Sequence, residues 1–290
     1  MSILRSMLFV PGDSEKKMAK GGSVGADALI LDLEDSVAAS RRPLAREMIH
    51  EYLKAADRSR GELWVRINPL DTADALRDVA AVARAKPDGI ALPKCNGPED
   101  VVQLSHYLDV LEIEHGITQG SIAICAIATE TAAAPFALGR YKGAPRLRIL
   151  TWGAEDLAAA IGAASNKDAA GHYTAPYVLA RSLCLFGAHA AGVQGLDTVQ
   201  PDFRNPTKLR EECNDGRRDG FLGKIAIHPD QVAVINECFT PSEAEIAHAQ
   251  AVIDAFKANP DAGTLSLDGK MIDMPHLKQA ARVMMIARRD

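Results

Sequence analysis

The chain has 290 residues, of which 47% are apolar and 24% charged, with a formal net charge of −5 at pH 7. This balance is typical of a soluble globular protein with one large core, and the excess of acids argues against a nucleic-acid-binding surface. No apolar stretch approaches the length of a membrane span. The apolar N-terminus stops at Pro11 and Gly12, which is too short for a signal peptide. We therefore expect a cytoplasmic protein with neither a nucleic-acid nor a membrane partner.

Eight short apolar runs recur along the chain, and each is interpreted as a strand. They are SMLFVP (6–11), ALILDLE (28–34), LWVRIN (63–68), GIALPK (89–94), SIAICAIATE (121–130), LRILTWGAED (147–156), GVQGLD (192–197) and GKIAIHP (223–229). Ionisable residues lie at or near the C-terminal ends of most runs, namely Asp32, Glu34, Arg66, Lys94, Glu130, Asp156, Asp197 and His228. Packing gives a buried strand no reason to end on such a group. A (β/α)8 barrel gives one, because its reacting residues gather at the C-terminal rim of the strands.

Helical patterns separate these runs. They cover residues 13–26, 41–57, 73–86, 98–116, 131–143, 156–165, 173–192 and 241–259. Alternation of strand and helix predicts parallel strands with right-handed crossovers, and eight such units favour closure of the sheet. The sequence therefore predicts an α/β fold, a (β/α)8 TIM barrel over residues 1–258, with a C-terminal helical extension over residues 259–290.

Three segments depart from this alternation. Residues 164–176 read as a polar loop, and residues 198–222 combine turn residues with a charged helix; loops of this kind at a barrel rim often serve as lids. Residues 263–290 resemble a small hairpin or turn followed by a helix, which could cap the rim or reach a neighbouring subunit. Five scattered cysteines form no Cys-x-x-Cys pair and are predicted to be buried and reduced: Cys95, Cys125, Cys184, Cys213 and Cys238.

Glu130 closes the fifth predicted strand, and Asp156 lies just beyond the sixth, its neighbour in the predicted barrel. Adjacent strands lie about 4.8 Å apart, so two carboxylates at adjacent rim positions could share one cation. Carboxylate oxygens with several retained waters suit Mg2+ rather than zinc. The alternative is two acids that merely occupy loops, which is common in a chain with 38 acidic residues.

Arg66 lies within the run WVRIN, where a buried arginine is costly unless an anion neutralises it. One interpretation is a structural ion pair with Asp32, Glu34 or Glu130. The other is a binding site for a substrate carboxylate or enolate, a task that suits the planar fork of donors on a guanidinium.

Lys94 and His228 also lie at predicted strand ends. Lys94 could form a Schiff base in a metal-free aldolase, or it could be a partner in ion pairs at the rim. His228 could act as an acid or base, or it could shape the turn before Pro229.

The first strand-to-helix turn, VPGDS, offers a further place for an anion. Gly12 and the following helix N-terminus could receive one, with Lys16, Lys17 and Lys20 on that helix. A solvated basic face is the alternative. The chain contains neither a P-loop nor a Gly-x-Gly-x-x-Gly fingerprint.

Nine segments in order resemble the HpcH/HpaI aldolase superfamily. They are RSMLFVPG, LILDLEDSV, WVRIN, LPK, TETA, WGAEDLAAAIG, GLDTVQPDF, GFLGKIAIHPDQVAVINECFTPSEAEI and LDGKMIDMP. They are most similar to its citrate lyase β-subunit-like branch, which includes malyl-CoA and citramalyl-CoA lyases. The resemblance runs from about residue 5 to about residue 285 and implies a (β/α)8 barrel that assembles as a homotrimer or homohexamer.

The resemblance also implies roles for particular residues. Glu130 and Asp156 match the ligands of Mg2+, and Glu130 lies where it would also touch substrate. Arg66 matches a substrate-binding and catalytic arginine.

The same resemblance places further groups around the substrate. Phe9 and Lys20 match positions along the path of CoA, and His228 is a further candidate for substrate binding. Asp273, in the segment GKMID, matches an acid/base aspartate that the C-terminal segment brings over a site, often that of a neighbouring subunit. This role would account for a segment outside the barrel.

The reaction implied is Mg2+-dependent cleavage or formation of a 3-hydroxyacyl-CoA thioester, such as malyl-, citramalyl- or citryl-CoA, with acetyl-CoA and a 2-keto acid as the other partners. Three alternatives stay open. The chain could be a citrate lyase β-like subunit acting on an acyl-carrier-bound substrate, a malyl-CoA thioesterase, or a Schiff-base aldolase that uses Lys94.

Overall fold

A computed structural model describes residues 3–288 of the chain. Within these residues, eight parallel strands form a closed barrel in sequence order. The strands are β1 (Ser6–Pro11), β2 (Ala28–Asp32), β3 (Glu62–Arg66), β4 (Gly89–Leu92), β5 (Ala123–Ile127), β6 (Leu147–Thr151), β7 (Gln194–Asp197) and β8 (Gly223–Ala226). The barrel closes where β1 pairs with β8, with Met7 opposite Ile225. The predicted (β/α)8 barrel is therefore confirmed.

Helices connect successive strands. They are α1 (Glu15–Gly21), α2 (Arg42–Ala55), α3 (Ala73–Ala83), α4 (Pro98–Glu114), α5 (Ala154–Ala160), α6 (Ala175–Ala191), α7 (Pro206–Asp219) and α8 (Pro229–Cys238), with 3-10 helices at Ala39–Arg41, Arg58–Arg60 and Ala134–Arg140. The Ser14 hydroxyl caps α1 by accepting a hydrogen bond from the Lys17 amide. None of the helices in residues 3–288 is long and apolar enough to cross a membrane.

The observed strands are shorter than the predicted ones. The prediction that Glu130 closes the fifth strand is wrong, because β5 ends at Ile127. Glu34, Lys94 and His228 likewise lie beyond the last residues of their strands. Four to six paired residues suffice for each strand of this barrel, so the charged ends of the runs fall in the loops that follow.

Two connections also differ from prediction. The helix predicted over 131–143 is a 3-10 helix at Ala134–Arg140, in a stretch interrupted by Pro135 and Gly139, which both disfavour a regular α-helix. Helix α8 begins directly after β8 and was not predicted. Its first residue, Pro229, occupies a position that proline tolerates at a helix start.

The lower half of the barrel interior is apolar. Residues two apart on a strand share a face, and the inward face carries Met7, Ala28, Ile30, Trp64, Ala91, Cys125, Ile149, Leu196 and Ile225, with Leu4 beneath them. Trp64 is the largest member, and a Cβ at Gly89 would lie only 2.2 Å from its ring. All five cysteines are buried and form no disulfide within residues 3–288, as predicted.

The described chain divides into two compact units. One is Leu4–Asn236, and the other, here called the tail unit, includes residues 237–288 together with Ile3. The tail unit contains α9 (Glu243–Ala258), the antiparallel hairpin of β9 (Thr264–Leu267) and β10 (Lys270–Asp273), and α10 (Met274–Ala287). The hairpin and the last helix were both predicted.

The division between these units does not follow the predicted boundary at residues 258/259. Helix α9 was assigned to the barrel domain, whereas the structure groups it with the tail unit. The reason is a small core of its own, in which Ala249, Val252 and Phe256 of α9 pack with Ile272 and Ala280. The predicted extension is thus an element of a larger helical and hairpin unit.

Candidate active site

An arginine–aspartate pair lies on the inner face of the barrel, one layer above the apolar core. Arg66 follows Trp64 on the same face of β3, and Asp32 is its register partner at the end of β2. The guanidinium donates two hydrogen bonds to this carboxylate, Nε to Oδ1 at 2.6 Å and Nη2 to Oδ2 at 2.7 Å. The Phe9 ring lies under the guanidinium, and the centroid of the ring is 4.5 Å from Cζ of Arg66. This contact fixes the guanidinium plane from below.

Both members of this pair are ionised. Burial opposes the charge of Asp32, but the hydrogen bonds and charge of Arg66 outweigh it and hold the pKa of Asp32 below its ordinary value. Burial also opposes the charge of Arg66, and Asp32 outweighs it in turn, so the pKa of Arg66 is raised. A second ion pair joins Nη1 of Arg66 to Oε2 of Glu34 at 3.0 Å. The structure thus shows the predicted structural ion pairs of Arg66, with Asp32 and Glu34 as partners.

Lys94 contacts several acids of the rim. Its ammonium group is 2.5 Å from Oε1 of Glu34 and 3.2 Å from Oδ1 of Asp156. Its backbone N–H donates to Oε2 of Glu130 at 2.7 Å. A single residue therefore gathers acids that follow three different strands.

The ammonium of Lys94 stays protonated in this environment. Burial opposes the charge, but the hydrogen bond and charge of Glu34 outweigh burial and raise the pKa of Lys94 above its ordinary value. A Schiff base requires a neutral amine, so this arrangement favours the ion-pair interpretation of Lys94.

Glu130 is a buried acid of the rim. Burial first, and the negative charge of Asp156 second, raise the pKa of Glu130 to about 8. The backbone after β6 lies against its side chain, and a Cβ at Gly153 would be 2.8 Å from Cγ of Glu130. The Gly153 N–H also donates to the Thr129 hydroxyl at 3.0 Å. A glycine at position 153 thus lets the loops after β5 and β6 hold both carboxylates together.

The donor set here fits a hard divalent cation. Glu130 and Asp156 repel each other, and Oε2 of Glu34 is buried without a well-aligned hydrogen-bond partner among the described residues. Burial raises the pKa of Glu34 as well. A cation coordinated by carboxylate oxygens and waters, as Mg2+ prefers, would relieve this excess of negative charge. Within residues 3–288, no three His, Cys, Asp or Glu side chains form a complete metal cage.

His228 shapes the turn after β8. Its ring stacks on Phe203, with centroids 4.3 Å apart and an interplanar angle of 16°. Its Nδ1 accepts a hydrogen bond from the Asp230 amide. The Gln231 side chain accepts hydrogen bonds from the amides of Ile227 and His228. The structure therefore shows the turn-shaping alternative for His228.

Two candidates lie outside the rim cluster. Lys20 is exposed in the last turn of α1, about 7 Å along the helix axis from the first turn. Asp273 belongs to the tail unit, where it caps α10 by accepting a hydrogen bond from the His276 amide, and its Oδ1 forms a hydrogen bond with Nδ1 of His276 at 2.5 Å. This hydrogen bond lowers the pKa of Asp273.

The sequence did not reveal how Glu34 and Asp35 contribute. Asp35 is 59% exposed and lies 3.8 Å from the Lys94 ammonium and 3.9 Å from Arg66. The signal available was the acidic run LDLED at the end of a buried strand, since adjacent acids are costly unless cations lie near them.

Comparisons with known proteins identify the relatives of this chain. The family described as HpcH/HpaI aldolase/citrate lyase matches residues 5–229. The mitochondrial citramalyl-CoA lyase of Rattus norvegicus is 34% identical over 299 aligned positions, which cover 98% of this chain and 86% of the relative. A (3S)-malyl-CoA thioesterase of Cereibacter sphaeroides is 33% identical, with 97% and 93% covered.

A solved structure is similar over the whole chain. It is the protein CitE of Mycobacterium tuberculosis in complex with magnesium, acetoacetate and coenzyme A, with a TM-score of 0.82 and 31% identity. The similarity covers 99% of each chain. The shared fold therefore includes both the barrel and the residues that follow it.

Proposed function

The chain belongs to the HpcH/HpaI aldolase/citrate lyase family and is a carbon–carbon lyase, and we propose that it acts on a 3-hydroxyacyl-CoA thioester with Mg2+ as cofactor. Cleavage of malyl-, citramalyl- or citryl-CoA would yield acetyl-CoA and a 2-keto acid. The observation that carries the proposal is the pair of rim carboxylates Glu130 and Asp156 beside the buried cation Arg66. The magnesium, acetoacetate and coenzyme A bound by the similar CitE structure support it.

The rim residues have separate tasks in this proposal. Glu130 and Asp156 hold the Mg2+, which when bound polarises oxygen atoms of the substrate as a Lewis acid. Arg66 holds negative charge on the oxygens at the reacting centre. Because Asp32 and Phe9 already fix its guanidinium, no reorganisation is needed as charge develops, which is the condition for strong electrostatic stabilisation.

Proton transfer is assigned to Asp273. In the cleavage direction the substrate hydroxyl loses a proton, the bond between its carbon and the thioester α-carbon breaks, and the electron pair passes to the thioester enolate, which then takes up a proton. The lowered pKa of Asp273 keeps it a carboxylate at neutral pH, so it can accept the first proton and return it. We propose that it comes from the same chain or from a neighbouring subunit of a homotrimer or homohexamer.

The CoA portion is assigned to Phe9 and Lys20, and His228 is assigned to substrate binding. Phe9 would line the path towards the reacting centre, because its ring already lies against Arg66. Lys20 offers an exposed ammonium for phosphate groups. His228 would contact substrate from the loop after β8.

Product analysis tests the reaction. The purified protein is incubated with each of the three thioesters, with Mg2+ and with EDTA, and the products are separated by chromatography. Acetyl-CoA and the matching keto acid should form only with the metal. Absence of both products from all three thioesters would contradict the proposal.

A thioesterase is the second candidate, because a relative with 33% identity bears that name. It would release malate and free CoA from malyl-CoA, so the same chromatogram separates the two activities. Activity confined to an acyl-carrier-bound substrate would instead indicate a citrate lyase β-like subunit. Borohydride trapping of substrate on Lys94 would indicate a Schiff-base aldolase.

A further inference from the structure

The position of Lys94 has a consequence for metal binding. Its ammonium lies 3.2 Å from Asp156, a carboxylate assigned to Mg2+, and 2.5 Å from Glu34, which is not. Asp35 is a third acid within reach, at 3.8 Å. The ammonium is therefore shared between Asp156, a proposed Mg2+ ligand, and the two acids Glu34 and Asp35.

The backbone of Lys94 has a separate task. Its φ of +50° lies in the left-handed region, a conformation that costs free energy for a residue other than glycine. In this conformation the amide N–H donates to Glu130 at 2.7 Å. The backbone thus orients one carboxylate, while the side chain neutralises the other.

We propose that the Lys94 ammonium is a built-in counter-ion that competes with the divalent cation for Asp156. Without metal it neutralises Asp156 and limits the repulsion between the rim acids. When a divalent cation binds, the ammonium gives up Asp156 and stays with Glu34 and Asp35. Lys94 is therefore a positioning residue that sets the affinity of the site for its metal.

The surroundings of the side chain allow this exchange. The Lys94 side chain is 31% exposed, so the ammonium has room to move. The contact of the ammonium with Oε1 of Glu34 is already shorter than its contact with Asp156. Two cationic centres near one carboxylate repel each other strongly in a partly buried site, so both cannot share Asp156 equally.

The test compares Mg2+ binding by calorimetry in the wild type, Lys94→Met and Lys94→Arg. Methionine keeps the length and the backbone N–H but removes the charge, whereas arginine retains it. We expect Lys94→Met to bind Mg2+ at least about tenfold more tightly and to unfold at a lower temperature without metal. Lys94→Arg should stay close to the wild type, and so should Lys54→Met, which removes the same charge from an exposed site paired with Glu51.

Two outcomes separate this inference from the proposed function on which it rests. If Lys94→Met binds Mg2+ equally or more weakly while the wild type binds it, Lys94 merely supports the local structure and the competition is refuted. If the wild type itself does not bind Mg2+, the proposed metal site fails and the inference fails with it.

Discussion

The two ends of the barrel both carry ion pairs that are at least partly buried, but their charge balance differs. At the N-terminal end, Arg148 donates two hydrogen bonds to Glu62, each at 2.8 Å, and Arg5 pairs with Asp27 at 2.9 Å. At the rim, five carboxylates lie within the contacts of Arg66 and Lys94 in the described chain: Asp32, Glu34, Asp35, Glu130 and Asp156. A network of matched pairs serves stability, whereas an excess of one sign raises pKa values and creates a binding site for the opposite charge.

Removal of Glu130 should have the largest effect at the rim. Glu130→Ala deletes a proposed metal ligand, so kcat should fall by at least about 10²–10³. The same change removes a buried, repelled carboxylate, so the melting temperature of the metal-free protein should stay the same or rise. Steady-state kinetics and thermal unfolding measure both. Near-normal turnover of all three thioesters would contradict the assignment of Glu130.

Arg66→Ala should reduce kcat by a similar factor, about 10²–10³, but with a cost in stability. The substitution leaves the carboxylates of Asp32 and Glu34 buried and without their cation, which typically destabilises by about 3–5 kcal/mol. Denaturant unfolding measures this cost. Arg66→Lys is the matched control, because it retains the charge and should recover most of the stability. It loses the paired hydrogen bonds from Nε and Nη2 to Asp32.

A substitution at the opposite end should reverse this pattern. Arg148→Met leaves the partly buried carboxylate of Glu62 without the two hydrogen bonds from Arg148, and the free energy of unfolding should fall by about 1–3 kcal/mol. Turnover and Mg2+ affinity should not change, because Glu62 lies at the start of β3 and Arg66 at its end. If Arg148→Met lost turnover while its free energy of unfolding stayed unchanged, the comparison of the two ends would be refuted.

The last expected effect is a dependence of stability on pH. The pKa of Glu130 is raised from 4.5 to about 8 in the folded protein, so folding favours its protonated form. Its contribution to stability is complete below the unfolded pKa and is lost as pH rises through about 8. The metal-free protein should therefore melt at a higher temperature near about pH 5.5 than near about pH 8.5, and Glu130→Gln should reduce this difference. An unchanged difference in the variant would show that other groups cause it.

Saturating Mg2+ should also reduce this difference in melting temperature between the two pH values, since the bound cation stabilises ionised Glu130.

Glu112, an acid at the N-terminal end of the barrel, behaves in the opposite way. Although burial opposes the charge of Glu112, hydrogen bonds from Arg146 hold its pKa below the ordinary value, so it stays ionised across this range.

The sequence predicted most of the barrel from local patterns. The eight apolar runs locate all eight strands, and the alternation with helices predicts their parallel order. The patterns missed α8, because its short sequence after Pro229 lacks a clear apolar period. They also placed Glu130 in a strand, because TETA continues the run without a turn residue.

The sequence by itself determined the fold and the residue types of the rim, since the alternation of faces along β2 and β3 puts Asp32 and Arg66 above the core. Only the tertiary structure decided how these charges pair. Lys94 contacts Glu34, which lies 60 residues earlier in the chain, and Asp156, which follows β5 and β6 in the chain. Its backbone is left-handed, which no local pattern indicates. The pairing of charges depends on distances across the closed barrel, and those distances exist only once all eight strands have come together.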